Sequence, residues 1–195
     1  MFEDRVLTES GKKTKDQIFN AAVKLLLKDG YDKLTIKKIC EASGASNGSF
    51  YHFFRNKDEL LAHYYNLSAE KFIQDREEDI ENASLYEQMM FCYRWYINYS
   101  AGHGVDFCLN FFTPKNRAID PNHMYNAFYE MSRECLHKHK DEILEGGDVD
   151  QIAHDLCVLA KGIISDWCNS RGAYDIATAA ERMFSVYLKG VVVTS

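Results

Sequence analysis

Residues 39–60 read ICEASGASNGSFYHFFRNKDEL. The segment turns on Gly44, set among small polar residues, and then crowds Phe50, Tyr51, Phe53 and Phe54 into five positions. Thr35 precedes an apolar-periodic stretch and Ser46 precedes another, and both are residue types that cap helix N-termini. The pattern predicts two short helices, 35–42 and 46–53, joined by "SGA", where the glycine permits a tight left-handed turn. Phe50, Phe53 and Phe54 form the apolar side of the second helix. Asn47, Gly48, Ser49, Tyr51 and His52 are left for the other side.

Reading outward, the spacing of apolar residues is helical almost throughout. In DQIFNAAVKLLLKDGY, Ile18, Ala22, Leu25 and Leu26 follow an i, i+4, i+7, i+8 pattern that Gly30 closes. Asn56 with Glu59, and Ser84 with Glu87, resemble capping boxes. Asp120 before Pro121 marks a further start, as do Asp148 and Asp175 after glycines. About nine helices are expected: 12–29, 35–42, 46–53, 57–80, 84–100, 105–112, 121–144, 148–170 and 175–190. The C-terminal "VVV" is too short to make a sheet. The fold class is all-α.

The chain has 195 residues, 46% hydrophobic and 27% charged, as expected of a soluble globular protein. It shows no membrane span and no secretory signal, so a cytoplasmic location is expected. Cys40, Cys92, Cys108, Cys135, Cys157 and Cys168 are scattered, with no C-x-x-C pair. Buried reduced thiols are expected, and no metal. Charge divides unevenly: residues 12–57 carry ten Lys/Arg and four Asp/Glu, a balance of +6. The rest carries −12, which gives the net −6 of the chain. A basic end on an acidic body suggests a polyanion partner, although a solvated helix face gives the same balance.

A helix with small, hydrogen-bonding residues on its outer side suits a DNA major groove, and its N-terminus attracts phosphate. Gly48 removes a side chain where such a helix comes close to the duplex. The same stretch resembles the TetR family of bacterial transcriptional regulators. Thr35, Ile36, Ile39, Gly44, Ser46, Gly48, Phe50, Tyr51, Phe53, Phe54, Lys57 and Leu60 match its pattern in register. Cys40, Ser43 and Ala45 depart from it with other small residues, and Asn47 stands where a basic residue is common. The resemblance covers residues 14–61. It implies a DNA-binding domain over residues 1–56 and a ligand-binding and dimerisation domain over 57–195. Thr35 and Lys37 would touch the DNA backbone, and Ser46, Asn47, Gly48, Ser49 and His52 would face the groove. Tyr51 would reach a phosphate or a thymine methyl, and Lys57 a phosphate. Capping alone for Ser46, and surface packing for Tyr51 and His52, are the plainer readings.

The remaining residues hold no glycine-rich phosphate loop, no G-x-S-x-G and no H-E-x-x-H, so neither an enzyme nor a cofactor is expected. LYEQMMFCYRWYINYSAGHGVDFCLNFF is aromatic on almost every side. Plain core explains most of it. With the resemblance it also implies a small-molecule pocket, with Arg94, Asn98 and His103 as polar groups and Tyr96, Phe107, Phe111 and Tyr125 as walls. The last two helices set small residues, Ala160, Gly162, Ala177 and Ala180, beside large ones, Ile163, Trp167, Met183 and Tyr187. Such surfaces suit a homodimer built as a four-helix bundle, or packing within one chain. The expected partners are a double-stranded DNA operator, a second copy of the chain and a small apolar or aromatic effector. The expected function is a ligand-responsive repressor on a palindromic operator. A helical protein-interaction module without DNA binding, and an enzyme using the aromatic cavity, are the alternatives.

Overall fold

Thr8, Thr35 and Ser46 each turn a hydroxyl back onto the helix that follows, and these caps set the frame of the N-terminal unit. The structure is a computed structural model that describes residues 8–75, 80, 82–111 and 127–193. It divides into two compact units, Met1–Tyr65 and Asn66–Ser195.

In the first unit, α1 (Glu9–Asp29) starts with Thr8 Oγ1 accepting from the Gly11 amide at 3.2 Å. It buries Ile18, Ala21, Ala22 and Leu26 on one stripe. α2 (Ile36–Ser43) is capped by Thr35, whose Oγ1 accepts from the Lys38 amide at 3.3 Å. It stops at Gly44, which takes φ 71° and ψ 10°. That left-handed geometry costs any other L-residue about 1 kcal/mol or more. α3 (Asn47–Phe53) is capped by Ser46, which accepts from the Ser49 amide at 3.0 Å. α4 (Lys57–Asp75) begins at the expected box. The Glu59 amide donates to Asn56 Oδ1 at 2.8 Å, while the Glu59 carboxylate accepts from the Arg55 amide at 2.6 Å. α1, α2 and α3 pack on one another around Ile18, Leu34, Ile39 and Phe50, with Leu60 and Leu61 of α4 fully buried. Those first two turns of α4 explain why the unit ends at Tyr65, nine residues past the boundary expected from the sequence.

In the second unit, α5 (Leu85–Phe111) is two helices joined across a kink at Gly104, in line with the expected pair at 84–100 and 105–112, with the first running three residues further. The helix runs through Ser100-Ala101-Gly102-His103, with the Ser100 hydroxyl bonded to the Tyr96 carbonyl at 2.9 Å. The only break is Gly104, at φ 83° and ψ 168°. α6 (Ala127–Lys138) ends six residues before the expected limit. A 3-10 turn at Lys140–Glu142 follows, where the His139 ring bonds Glu142 Oε1 at 2.8 Å. Ile143 then leaves helical geometry to form an isolated antiparallel bridge with Val192. The Val193 amide closes the turn on the Glu142 carbonyl at 2.7 Å. The terminal valines therefore make a bridge but no sheet. α7 (Val149–Asn169) and α8 (Ile176–Lys189) start at the expected caps, Asp148 and Asp175. α5 packs on α7 and α8, and α6 on α7. Eight α-helices are counted among the described residues, which makes the fold all-α. The expected cap at Asp120, the start of helix 121–144 and residues 76–79 of helix 57–80 lie outside the described residues.

Candidate nucleic-acid interface and small-molecule site

The turn at Gly44 leaves one face of α2 and α3 in solvent. Phe50 is fully buried under α3 and Phe54 nearly so, whereas Tyr51 is 58% exposed. Asn47, Gly48 and His52 are exposed beside it, with Ser46 at the cap and Ser49 half-buried. A Cβ at Gly48 would meet only Ser46 Oγ, at 3.6 Å, an ordinary contact, so the surrounding described residues leave room for at least an alanine there. Ser46 Oγ also contacts Ser49 Oγ at 3.0 Å, so capping occupies part of its bonding capacity. Thr35 and Lys37 are exposed at the start of α2. Lys37 pairs with Glu41 at 3.9 Å on open surface, a contact worth well under about 1 kcal/mol that an incoming phosphate can replace.

Lys57 differs from the open contact read in the sequence. Its Nζ lies 3.4 Å from the Tyr31 carbonyl, 3.3 Å from the Leu34 carbonyl and 3.8 Å from the centroid of the Tyr31 ring. It is therefore engaged within its own unit. The nine residues expected at the interface all fall in the stretch from the start of α2 to the start of α4.

Residues 18–64 match the sequence profile of a family described as bacterial regulatory proteins, tetR family. The match covers 47 of the chain's 195 residues and falls within the first unit. The fatty acid metabolism regulator protein of Bacillus subtilis (strain 168) is 34% identical to it over 74 residues, 37% of this chain and 38% of that protein. The chain thus spans 38% of that relative's length. The transcriptional regulator QacR of Staphylococcus aureus is 33% identical over 58 residues, 30% of this chain and 31% of the relative. Both of these relatives are named as regulators. The crystal structure of FadR from Bacillus subtilis, solved in complex with stearoyl-CoA, shares the fold at TM-score 0.69 and 22% identity. It covers 90% of this chain and 98% of that one. FadR of Thermus thermophilus, solved with lauroyl-CoA, gives TM-score 0.72 at 16% identity over 93% and 96% of the two chains.

The second unit sorts the expected pocket residues into two groups. Tyr96, Phe107 and Phe111 are buried and His103 half-buried. They belong to a ladder of rings along α5. Successive centroid distances are 4.4 Å for Phe72–Trp95, 4.9 Å for Trp95–Tyr99, 4.4 Å for Tyr99–His103, 4.9 Å for His103–Phe107 and 4.7 Å for Phe107–Phe111. Phe128 of α6 closes on Trp95 at 5.4 Å and Tyr96 at 5.0 Å. Phe72, Trp95, Tyr99 and Phe128 were not picked out in the sequence. For Trp95 and Tyr99 the signal lay in the four-residue spacing of 91, 95, 99 and 103, which stacks neighbours on one helix face. Arg94 and Asn98 are exposed, away from this ladder. Arg94 makes a bidentate pair with Glu181 at 2.8 and 3.0 Å. The two line an open surface groove of about 550 Å³ with Ala177, Thr178 and Arg182. Tyr125 lies outside the described residues.

Burial holds the His103 imidazole below its ordinary range, although the Tyr99 carbonyl 2.8 Å from Nδ1 opposes this. The folded state therefore binds fewer protons here than the unfolded chain, where His103 titrates near 6.5. This contribution is fully present above 6.5 and is lost as pH falls through the folded value. On acidification from about pH 7 to pH 5, the melting temperature of the wild type should fall further than that of His103→Gln. Parallel curves in differential scanning calorimetry would show that His103 is not the group responsible.

The six cysteines are buried thiols. Burial pushes Cys40, Cys108, Cys157 and Cys168 above the usual thiol range, which makes them poor nucleophiles. No cluster of potential metal ligands occurs among the described residues, and no described helix is long and apolar enough to cross a membrane.

The expected dimer residues also divide. Ala160, Ile163, Trp167 and Ala180 are buried in the chain's own core. Gly162 and Met183 are exposed, and Ala177 and Tyr187 half-buried. Val158 and Val186, missed in the sequence, are 49% and 70% exposed. The Tyr187 hydroxyl donates to Asp155 at 3.0 Å and joins α7 to α8 beside these residues.

Proposed function

We propose that the chain is a cytoplasmic, ligand-responsive transcriptional repressor that binds a palindromic DNA operator as a homodimer and is released by an apolar effector. The observation that carries this reading is the capped helix-turn-helix with Asn47, Tyr51 and His52 outermost. The likeness of residues 18–64 to the tetR-family profile supports it independently. Thr35, Lys37 and Lys57 would contribute to backbone contacts, which fix register, while Asn47, Ser49 and His52 would read base edges. Lys57, held at the Tyr31 and Leu34 carbonyls, would add its charge to the field felt by a phosphate without leaving those contacts.

The homodimer would use the outward faces of α7 and α8, through Val158, Gly162, Met183 and Val186. Two-fold symmetry then sets two recognition helices about 34–36 Å apart for two half-sites. The effector would bind against the α5 ladder, where Trp95, Tyr96, Phe107, Phe111 and Phe128 supply apolar walls and His103 a polar group. Long-chain acyl-CoA is the first class to test, because two structures of this fold were solved with it. That is an argument from fold likeness, to which the apolar ladder adds a physical reason.

Stearoyl-CoA and lauroyl-CoA should raise the melting temperature and weaken binding to a DNA duplex selected from a random pool. Linkage requires the duplex to weaken acyl-CoA by the same factor. Trp95→Leu should reduce acyl-CoA affinity while leaving duplex affinity unchanged. Equal acyl-CoA affinity with and without duplex in titration calorimetry counts against the release mechanism.

A further inference from the structure

We propose that Tyr31 is a positioning residue for the helix-turn-helix, acting through a staple that ties the α1–α2 connection to the first turn of α4. The inference rests on the reading of the first unit as a DNA-binding domain. Tyr31 is 7% exposed, and its hydroxyl donates to Asp58 Oδ1 at 2.6 Å. The preceding residue, Lys57, holds the other side: its ammonium lies 3.8 Å from the ring centroid and reaches the Tyr31 and Leu34 carbonyls. Two consecutive residues of α4 therefore grip one aromatic residue by its hydroxyl, ring face and carbonyl.

This grip lies at a decisive place in the chain. Leu34 directly precedes Thr35, the cap of α2, so a fixed Leu34 carbonyl fixes where α2 begins. α2 carries exposed Lys37 and Lys38, and only Gly44, Ala45 and Ser46 separate its end from α3. Packing alone asks only for a ring at position 31, which phenylalanine would supply along with the face for Lys57. The hydroxyl adds a directional, charge-assisted bond of the stronger kind. It also keeps the Asp58 carboxylate, which a phosphate backbone would repel, turned into the domain. Neither Tyr31 nor Asp58 needs to touch DNA for this to matter. A loosened staple lets the start of α2 wander, and its ordering must then be supplied on binding.

The test uses the full-length protein and a duplex that the wild type selects from a random pool. Tyr31→Phe should lower affinity for that duplex about tenfold, as expected when one hydrogen bond to a charged group is lost. The slope of affinity against salt should not change, because no phosphate contact has been removed. Affinity for unselected duplex should also stay the same, so the specificity ratio falls. Asp58→Asn should reproduce the loss, and the double mutant should add little to either single change. Wild-type affinity and specificity in both single mutants overturn the proposal, as does a loss that merely follows the unfolded fraction measured by circular dichroism. A wild type that selects no duplex overturns the reading of the first unit and this inference with it. Selection by wild type and Tyr31→Phe alike removes the staple alone.

Discussion

Val186→Glu should convert the protein from dimer to monomer in light scattering at micromolar concentration, and specific DNA binding should be lost with it. Val186 is 70% exposed on α8, a poor place for a branched apolar side chain unless a partner covers it. Met183, one turn earlier, and Val158 and Gly162, four residues apart on α7, extend the same apolar surface. A two-fold interface would bury the new carboxylate twice, and an unpaired buried charge costs about 3–5 kcal/mol. That suffices to shift dimerisation by roughly a thousandfold or more. Gly162→Leu is the steric companion: Gly162 is exposed and no atom lies within 4 Å of a Cβ placed there, so a larger side chain would point into solvent unless a partner covers it. Ala180→Glu is not an equivalent test. Ala180 is 2% exposed inside the chain's own core, so that change would unfold the unit. A monomeric wild type, or a dimeric Val186→Glu, would place the interface elsewhere.

Two neighbours on α3 should behave in opposite ways. Phe50 is fully buried, and Phe50→Ala should destabilise the first unit by about 3–5 kcal/mol, the usual cost of removing a core ring. Tyr51 is 58% exposed, with its ring edge-on to Phe50 at 5.6 Å. Tyr51→Ala should leave the thermal melt within about 0.5 kcal/mol of wild type, as surface substitutions do. It should still weaken selected-duplex binding about tenfold to a hundredfold, the range for losing a direct contact. Chemical denaturation and fluorescence anisotropy on the same samples separate the two outcomes. Loss of stability in Tyr51→Ala, or unchanged duplex binding, would make Tyr51 a packing residue.

The helix-turn-helix was legible because its signals are local. Thr35, Gly44 and Ser46 act on residues within three or four positions, and each does in the structure what its type allows. Lys57 was read as an outward cation because its ties to Tyr31 and Leu34 span 26 and 23 residues, which no local pattern reveals. Arg94 was misplaced for the same reason, its partner Glu181 lying 87 residues away. The break between helices 84–100 and 105–112 was legible because two glycines cluster there, and only its exact place within 101–104 was not. Gly102 stays helical while Gly104 alone takes positive φ. The small-beside-large pattern of α7 and α8 marked both faces of each helix. Only burial shows that Ala160 and Ala180 point inward, while Val158 and Val186 do not.

The central claim, that the exposed face of α2 and α3 binds duplex DNA, is tested most directly by anisotropy of a labelled duplex selected from a random pool, measured between about 50 and 200 mM salt. The wild type should bind with a log affinity that falls linearly against log salt, and Tyr51→Ala should bind more weakly at every point. Undetectable binding of any duplex at 50 mM salt, or coincident lines for the two proteins, would contradict it.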